Sequence, residues 1–153
     1  MLKNKEKIYS VACIVLMIDQ FIKTLIRTKM HLNQEIVIIP KFFSIHYLKN
    51  TGAAFSILRD NTIILIIISI IMLYIINKFI DKEKKINKNQ KLYIGIIMGG
   101  IFGNLIDRIA YRGVIDYLSF TIFKYNFPVF NLADMAITIG VVLLIINYLR
   151  TKK

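Results

Sequence analysis

Apolar residues in this chain run on in long unbroken stretches, with neither the alternation of a half-buried strand nor the three-and-four spacing of a surface helix. A helix that crosses a bilayer needs roughly 20 residues at a rise of about 1.5 Å each. Four stretches satisfy this, at about 8–26, 62–80, 92–110 and 131–149. The second, TIILIIISIIMLYIINKFI, has no charge before Lys78 and is predicted to face lipid. Two longer connections remain, about 27–61 and 111–130. In the first, β-branched and aromatic residues around Pro40, followed by Thr51-Gly52, predict short strands and turns. In the second, Phe120, Phe123, Tyr125, Phe127 and Phe130 suit the boundary between water and lipid. The pattern predicts an all-α polytopic membrane protein, a single domain over 1–153, with four transmembrane helices and a small extracytoplasmic β-rich element.

Composition agrees, since 56% of the 153 residues are hydrophobic, too many for an ordinary soluble domain. The net charge of +12 raises the possibility of nucleic-acid binding, but the basic residues gather in short segments beside apolar runs and form no face between aromatic platforms. Nucleic acid is therefore excluded as a partner. Lys3, Lys5 and Lys7 precede the first span, Lys78, Lys82, Lys84, Lys85, Lys88 and Lys91 surround the turn between spans two and three, and Arg150, Lys152 and Lys153 end the chain. These are twelve of the 21 basic residues, and their bias predicts that both termini are cytoplasmic. MLKNKEK followed by an apolar run resembles the start of a cleavable signal peptide. Asp19, Gln20 and Lys23 stand where a small-residue cleavage site would be, so the segment is expected to remain as a helix. Cys13 is the single cysteine and reads as a small apolar residue. His31 and His46 lack metal-ligand spacing, and no cofactor or metal is expected.

Polar residues within the spans carry more information. Of nine acidic residues, Asp19, Asp107, Asp116 and Asp134 fall in or at the ends of apolar stretches, where a carboxylate costs at least ~2.5 kcal/mol and so usually faces the protein interior. Each has an ordinary explanation. Asp19 and Lys23 form an i,i+4 pair. Asn104, Asp107 and Arg108 share a helix face, where Arg108 can neutralise Asp107 or hold a substrate oxygen. Asn131 and Asp134 can cap the fourth helix, and Asp116 can serve a turn in the outer connection. Taken together they suggest more. The third span ends and the fourth begins at the same surface, which puts Asp116 and Asp134 at one membrane level. Two carboxylates brought close share a proton and titrate as a pair, the equipment for aspartic peptide hydrolysis.

DQFIK at 19–23, NTGAAFSIL at 50–58, GNLIDRIAYRGVIDYL at 103–118 and FNLADMAITIG at 130–140 resemble, in order and over nearly the whole chain, the signature blocks of the lipoprotein signal peptidase (signal peptidase II) family. The resemblance implies a monomeric aspartic endopeptidase of the bacterial cytoplasmic membrane, with four transmembrane helices and an extracytoplasmic β-cradle. Its implied partners are membrane lipids and diacylglyceryl-modified prolipoproteins, cut on the N-terminal side of the lipidated cysteine. Carried over by motif, Asp116 and Asp134 are the catalytic pair. Asn50, Gly52, Asn104, Arg108 and Asn131 line the substrate cleft, while Asp19, Lys23 and Asp107 support it. The Asn50 loop becomes a lid or clamp, with Gly52 allowing close backbone approach. Tyr117 stands where the family often has phenylalanine and Met135 where it often has a small polar residue. Without the resemblance, intramembrane charges also fit a small ion or proton transporter, or a noncatalytic adaptor whose polar residues join helices.

Overall fold

The protein is seen in a computed structural model that describes residues 2–52, 60–83 and 85–151. Four helices answer to the four apolar stretches: α1 (Leu2–Lys29), α2 (Thr62–Lys82), α3 (Lys88–Tyr111) and α4 (Leu132–Thr151). All four are long and apolar enough to span a bilayer. Most extend a few residues past the apolar core at one or both ends, because lysines and asparagines can flank a span without entering hydrocarbon. Asn87 and Gln90 set the start of α3: the Asn87 side chain accepts from the Gln90 amide at 2.9 Å, and Gln90 Oε1 accepts from the Asn87 amide at 3.0 Å. Its end is marked by Arg112 in the left-handed region, φ 54°.

α3 is the centre of the bundle, with 61% of its span buried against 17–22% for the other three. Glycine makes this possible. Gly95 and Gly99 lie against the backbone carbonyls of Ile8 and Ala12 in α1, and Gly100 lies against that of Ala133 in α4, the close approach that small residues permit between membrane helices. α2 packs Leu73 and Ile80 into the shared core but exposes Ile63, Ile67, Ile71 and Ile75, as a lipid-facing helix should. At the lysine-rich end Lys5 pairs with Asp81, and Asn87 donates to Asn147 at 3.2 Å. The start of α1, the α2–α3 turn and the last turns of α4 therefore share one end.

The opposite end carries a four-stranded antiparallel sheet, ordered β1 (Glu35–Ile39), β2 (Phe43–Asn50), β3 (Val114–Ile122) and β4 (Tyr125–Asn126). This corrects two expectations. The architecture is four apolar helices plus a sheet and is not all-α. The sheet also draws on both long connections, where strands were predicted in the first alone. β3 runs through the residues assigned to an outer loop, because Ile115, Tyr117 and Leu118 can pack on the top of α1, around Ile22, Ile26 and Met30. Asp116 is accordingly a strand residue and not a turn residue.

Candidate active site

Pairing of β2 with β3 sets Asn50 opposite Val114 and Leu48 opposite Asp116, so Asn50 and Asp116 are diagonal neighbours. Asn50 Nδ2 donates to Asp116 Oδ2 at 3.0 Å, and Asn50 Oδ1 accepts from the Gly52 amide at 2.9 Å. The other Asp116 oxygen accepts from Asn131 Nδ2 at 2.7 Å. Asn131 immediately precedes α4 and Asp134 lies in its first turn, where the two cap the helix reciprocally. Asn131 Oδ1 accepts from the Asp134 amide at 2.9 Å, and Asp134 Oδ2 from the Asn131 amide at 3.2 Å. The remaining Asp134 oxygen accepts from Asn104 Nδ2 at 2.7 Å. Helix capping, the ordinary explanation for this pair, therefore holds without using up its chemistry. One asparagine caps a helix and grips Asp116, and one aspartate caps and faces the cleft.

Asn104 is oriented from behind. Its carbonyl oxygen accepts from Lys23 Nζ at 2.9 Å and from Asn131 Nδ2 at 3.2 Å, which leaves its amide nitrogen to meet Asp134. Lys23 is 1% exposed and also pairs with Asp19 at 2.9 Å and Asp107 at 3.0 Å. The i,i+4 pair of α1 is thus one side of a wider network. Asp19 Oδ1 accepts from the Ala133 amide at 3.0 Å, and Asp107 Oδ2 from the Ile115 amide at 3.1 Å. Through these carboxylates α1, α3, α4 and β3 are tied together behind the cleft. Gln20, given no role from sequence, completes the network by donating to Asp107 Oδ1 at 3.0 Å and to the Gly103 carbonyl at 3.1 Å. Its signal was its place beside Asp19, three residues before Lys23, in an otherwise apolar helix.

Asp107 and Arg108 go separate ways. Asp107 is fully buried and satisfied by Lys23, Gln20 and the Ile115 amide. Arg108 forms no ion pair among the described residues and lines the cleft, with its Nε buried and without a hydrogen-bond partner. The cleft, about 900 Å³, is lined by Asn50, Gly52, Asn104, Arg108, Asp116 and Asp134, with Ile137 on α4 and Phe127 to Phe130 along one rim. Asn131 touches it through Asp116, while Asp19, Lys23 and Asp107 lie behind it. Residues 53–59, which hold the rest of the NTGAAFSIL motif and the expected lid, are outside the described residues.

Burial and the negative charge of Asp134 together push the Asp116 carboxyl up to about 7, against the smaller opposing effect of its hydrogen bonds from Asn50 and Asn131. Burial likewise pushes the Tyr117 hydroxyl up to about 12, so it stays neutral. Its oxygen accepts from the Leu132 amide at 3.2 Å, a bond that phenylalanine could not make, and it satisfies another free amide at the start of α4.

Residues 11–150 match the family description Signal peptidase (SPase) II. A lipoprotein signal peptidase of Symbiobacterium thermophilum is 39% identical over 136 residues, 89% of this chain and 90% of the relative. One of Staphylococcus haemolyticus is 39% identical over 140 residues, 92% of this chain and 89% of the relative. Two solved structures, each described as a bacterial membrane enzyme studied by the in meso method, superpose with TM-scores of 0.86 and 0.81 at 36% and 37% identity. They cover 94% and 91% of this chain, and the chain covers 87% and 90% of theirs. With a match that spans all four helices, the sheet and the cleft between them, the chain belongs to the signal peptidase II family.

Proposed function

We propose that this protein is an aspartic endopeptidase that releases the signal peptide of diacylglyceryl-modified prolipoproteins, cutting on the N-terminal side of the lipidated cysteine. Family membership supports prolipoprotein cleavage and sets aside the transporter and adaptor readings. The observation that carries the mechanism is the convergence of Asp116 and Asp134 on one cleft, from a strand and a helix start, linked by the amides of Asn131 and Asn104.

The two environments suit different halves of the reaction. Asp116, buried and raised to about 7, retains a proton near neutral pH and serves as the acid. Asp134 lies at the positive end of the α4 dipole, a place that suits negative charge, and serves as the base. Asp134 takes a proton from water, whose oxygen attacks the scissile carbonyl carbon, while Asp116 protonates the carbonyl oxygen. The resulting diol collapses as Asp116 takes back a hydroxyl proton, the carbon–nitrogen bond breaks, and the proton held by Asp134 passes to the leaving amine of the cysteine. Arg108, with donors facing the cleft, holds a peptide carbonyl beside the reacting bond, and Asn50 and Gly52 position the chain from the sheet side.

The layout accommodates both parts of such a substrate. The site sits where the helices meet the sheet, so a signal peptide can run along the apolar flank of α4 and the acyl chains can stay in lipid while the scissile bond reaches the dyad. The lysines at the far end support a cytoplasmic position for both termini and an extracytoplasmic one for the cleft, in the bacterial cytoplasmic membrane. One domain, acting as a monomer, supplies every group in this scheme.

Incubation of the purified protein in lipid with a diacylglyceryl-modified precursor tests the proposal. The parent should cleave it, and Asp116→Asn and Asp134→Asn, both folded, should not. Full activity in either variant, or no cleavage by a folded parent, would refute the assignment.

A further inference from the structure

Both hairpin turns of the sheet end in positions that their residues do not favour. Ile39 to Phe42 closes on a hydrogen bond from the Phe42 amide to the Ile39 carbonyl at 3.1 Å, with Pro40 second and Lys41 third at φ 61°. That third position normally takes glycine. Ile122 pairs with Tyr125 across Phe123 and Lys124, at φ 49° and 67°, a two-residue turn that normally takes Asn-Gly. Neither turn has the small residue its backbone asks for, and each instead presents an aromatic ring beside a lysine.

The two tips lie side by side. Phe43 pairs with Phe120, the Thr121 amide donates to the Phe42 carbonyl at 2.9 Å, and the Phe42 and Phe120 rings meet edge to face at 5.7 Å. Around them the surface is apolar: Ile38 and Ile39, Phe42, Ile122 and Tyr125 are exposed, and Phe123 is 101% exposed. No acidic residue occurs in 36–49 or 117–131, whereas Lys41, Lys49 and Lys124 do. A patch of this kind on a water-facing sheet would be a liability. This sheet, however, rises from the ends of three membrane helices through connections of only a few residues, 30–34 after α1, 112–113 after α3 and 127–131 before α4, which keeps it at the bilayer surface.

We infer that the paired tips, Lys41-Phe42 and Phe123-Lys124, form a second membrane contact that inserts its rings among the headgroups of an anionic leaflet. The rings enter the interfacial layer and the lysines meet lipid phosphates. Among the described residues β1 pairs on one side only, and the unpaired backbone groups of its outer edge need water, so insertion stops short of the hydrocarbon. The contact fixes the tilt of β2 and β3, and with it the depth of Asn50 and Asp116.

The protein has no tryptophan, so Phe123→Trp in the full chain gives a single reporter at a position where the ring touches little else. It is reconstituted at low protein density in phosphatidylcholine vesicles with and without phosphatidylglycerol. The emission should be blue-shifted, shielded from aqueous iodide, and quenched more by lipids brominated near the headgroup than deep in the chain. Adding Lys41→Glu and Lys124→Glu should move the inserted-to-withdrawn ratio against insertion by roughly five-fold per lysine removed, and only where phosphatidylglycerol is present. Phe123→Asn with Lys124→Gly, which relieves the turn, should fold at least as stably as the parent while a Phe42→Trp reporter beside it loses its shielding. Iodide quenching of the Phe123→Trp reporter in anionic vesicles would overturn the inference. Shielding from both iodide and brominated lipid that grows with protein density would also overturn it, in favour of a second copy of this chain at the β1 edge.

Discussion

Lys23→Met tests whether the buried network behind the cleft supports the fold. The ammonium group has contacts of 2.9 Å to Asp19, 3.0 Å to Asp107 and 2.9 Å to Asn104, and both carboxylates are fully buried. Removing one partner of a buried ion pair costs about 3–5 kcal/mol, because the other charge is left without compensation. Two carboxylates lose their cation here, but each keeps other donors: Asp19 retains the Ala133 amide and Asp107 retains Gln20 and the Ile115 amide. The expected loss is therefore about 3–5 kcal/mol in total and not twice that, a large part of the roughly 5–15 kcal/mol that holds a typical domain together. Unfolding in mixed micelles of rising sodium dodecyl sulfate content, followed by circular dichroism, measures it. The triple variant Asp19→Asn, Lys23→Met, Asp107→Asn leaves no charge unpaired and should recover most of the loss. A drop below about 1 kcal/mol for Lys23→Met, or a triple variant no more stable than the single one, would refute the reasoning.

Two further outcomes follow from the site and the bundle. Because the Asp116 carboxyl is raised to about 7 from an ordinary value near 4, the folded state holds a proton that the unfolded state releases. Its contribution, on the order of 4 kcal/mol, is complete below about pH 4 and lost as pH rises to about 7. Asp116→Asn should thus gain stability relative to the parent between about pH 4 and 8, and the parent's cleavage rate should fall above about pH 7 as the acid is lost, both read from pH titrations of the two proteins. A β-carbon at Gly100 would stand 2.5 Å from the Ala133 carbonyl oxygen and 2.8 Å from Ile137 Cγ1. Gly100→Ala should force α3 and α4 apart at a cost of about 1–3 kcal/mol and slow cleavage by disturbing the Asn104–Asp134 bond that crosses the same interface, as unfolding and turnover assays can show.

The spans were legible because a bilayer imposes a length and an apolar character that local sequence must satisfy. The acidic residues stood out for the same reason, since a carboxylate in such surroundings needs a partner or a task. What the sequence left open depends on contacts between distant segments. VIDYLSFTI is compatible with both an interfacial loop and a strand, and its pairing with FSIHYLKN is decided by packing on α1. The Asp19–Lys23 pair could be read from i,i+4 spacing, but its extension to Asp107 and Asn104 required the α1–α3 interface that Gly95 and Gly99 permit. Asp107 and Arg108 are adjacent in sequence and so point in different directions on a helix. Their neighbours separate them, one to Lys23 behind the cleft and the other to the cleft itself.

The central claim is that Asp116 and Asp134 act on water and never become bonded to the substrate. Single-turnover cleavage of a diacylglyceryl-modified precursor in water enriched in heavy oxygen, followed by mass spectrometry of both peptide products and of the protein, tests it directly. The account predicts one heavy oxygen in the new carboxyl terminus of the released signal peptide and none in either aspartate. Heavy oxygen in the side chain of Asp116 or Asp134 after that one turnover, the mark of a covalent acyl intermediate, would contradict it.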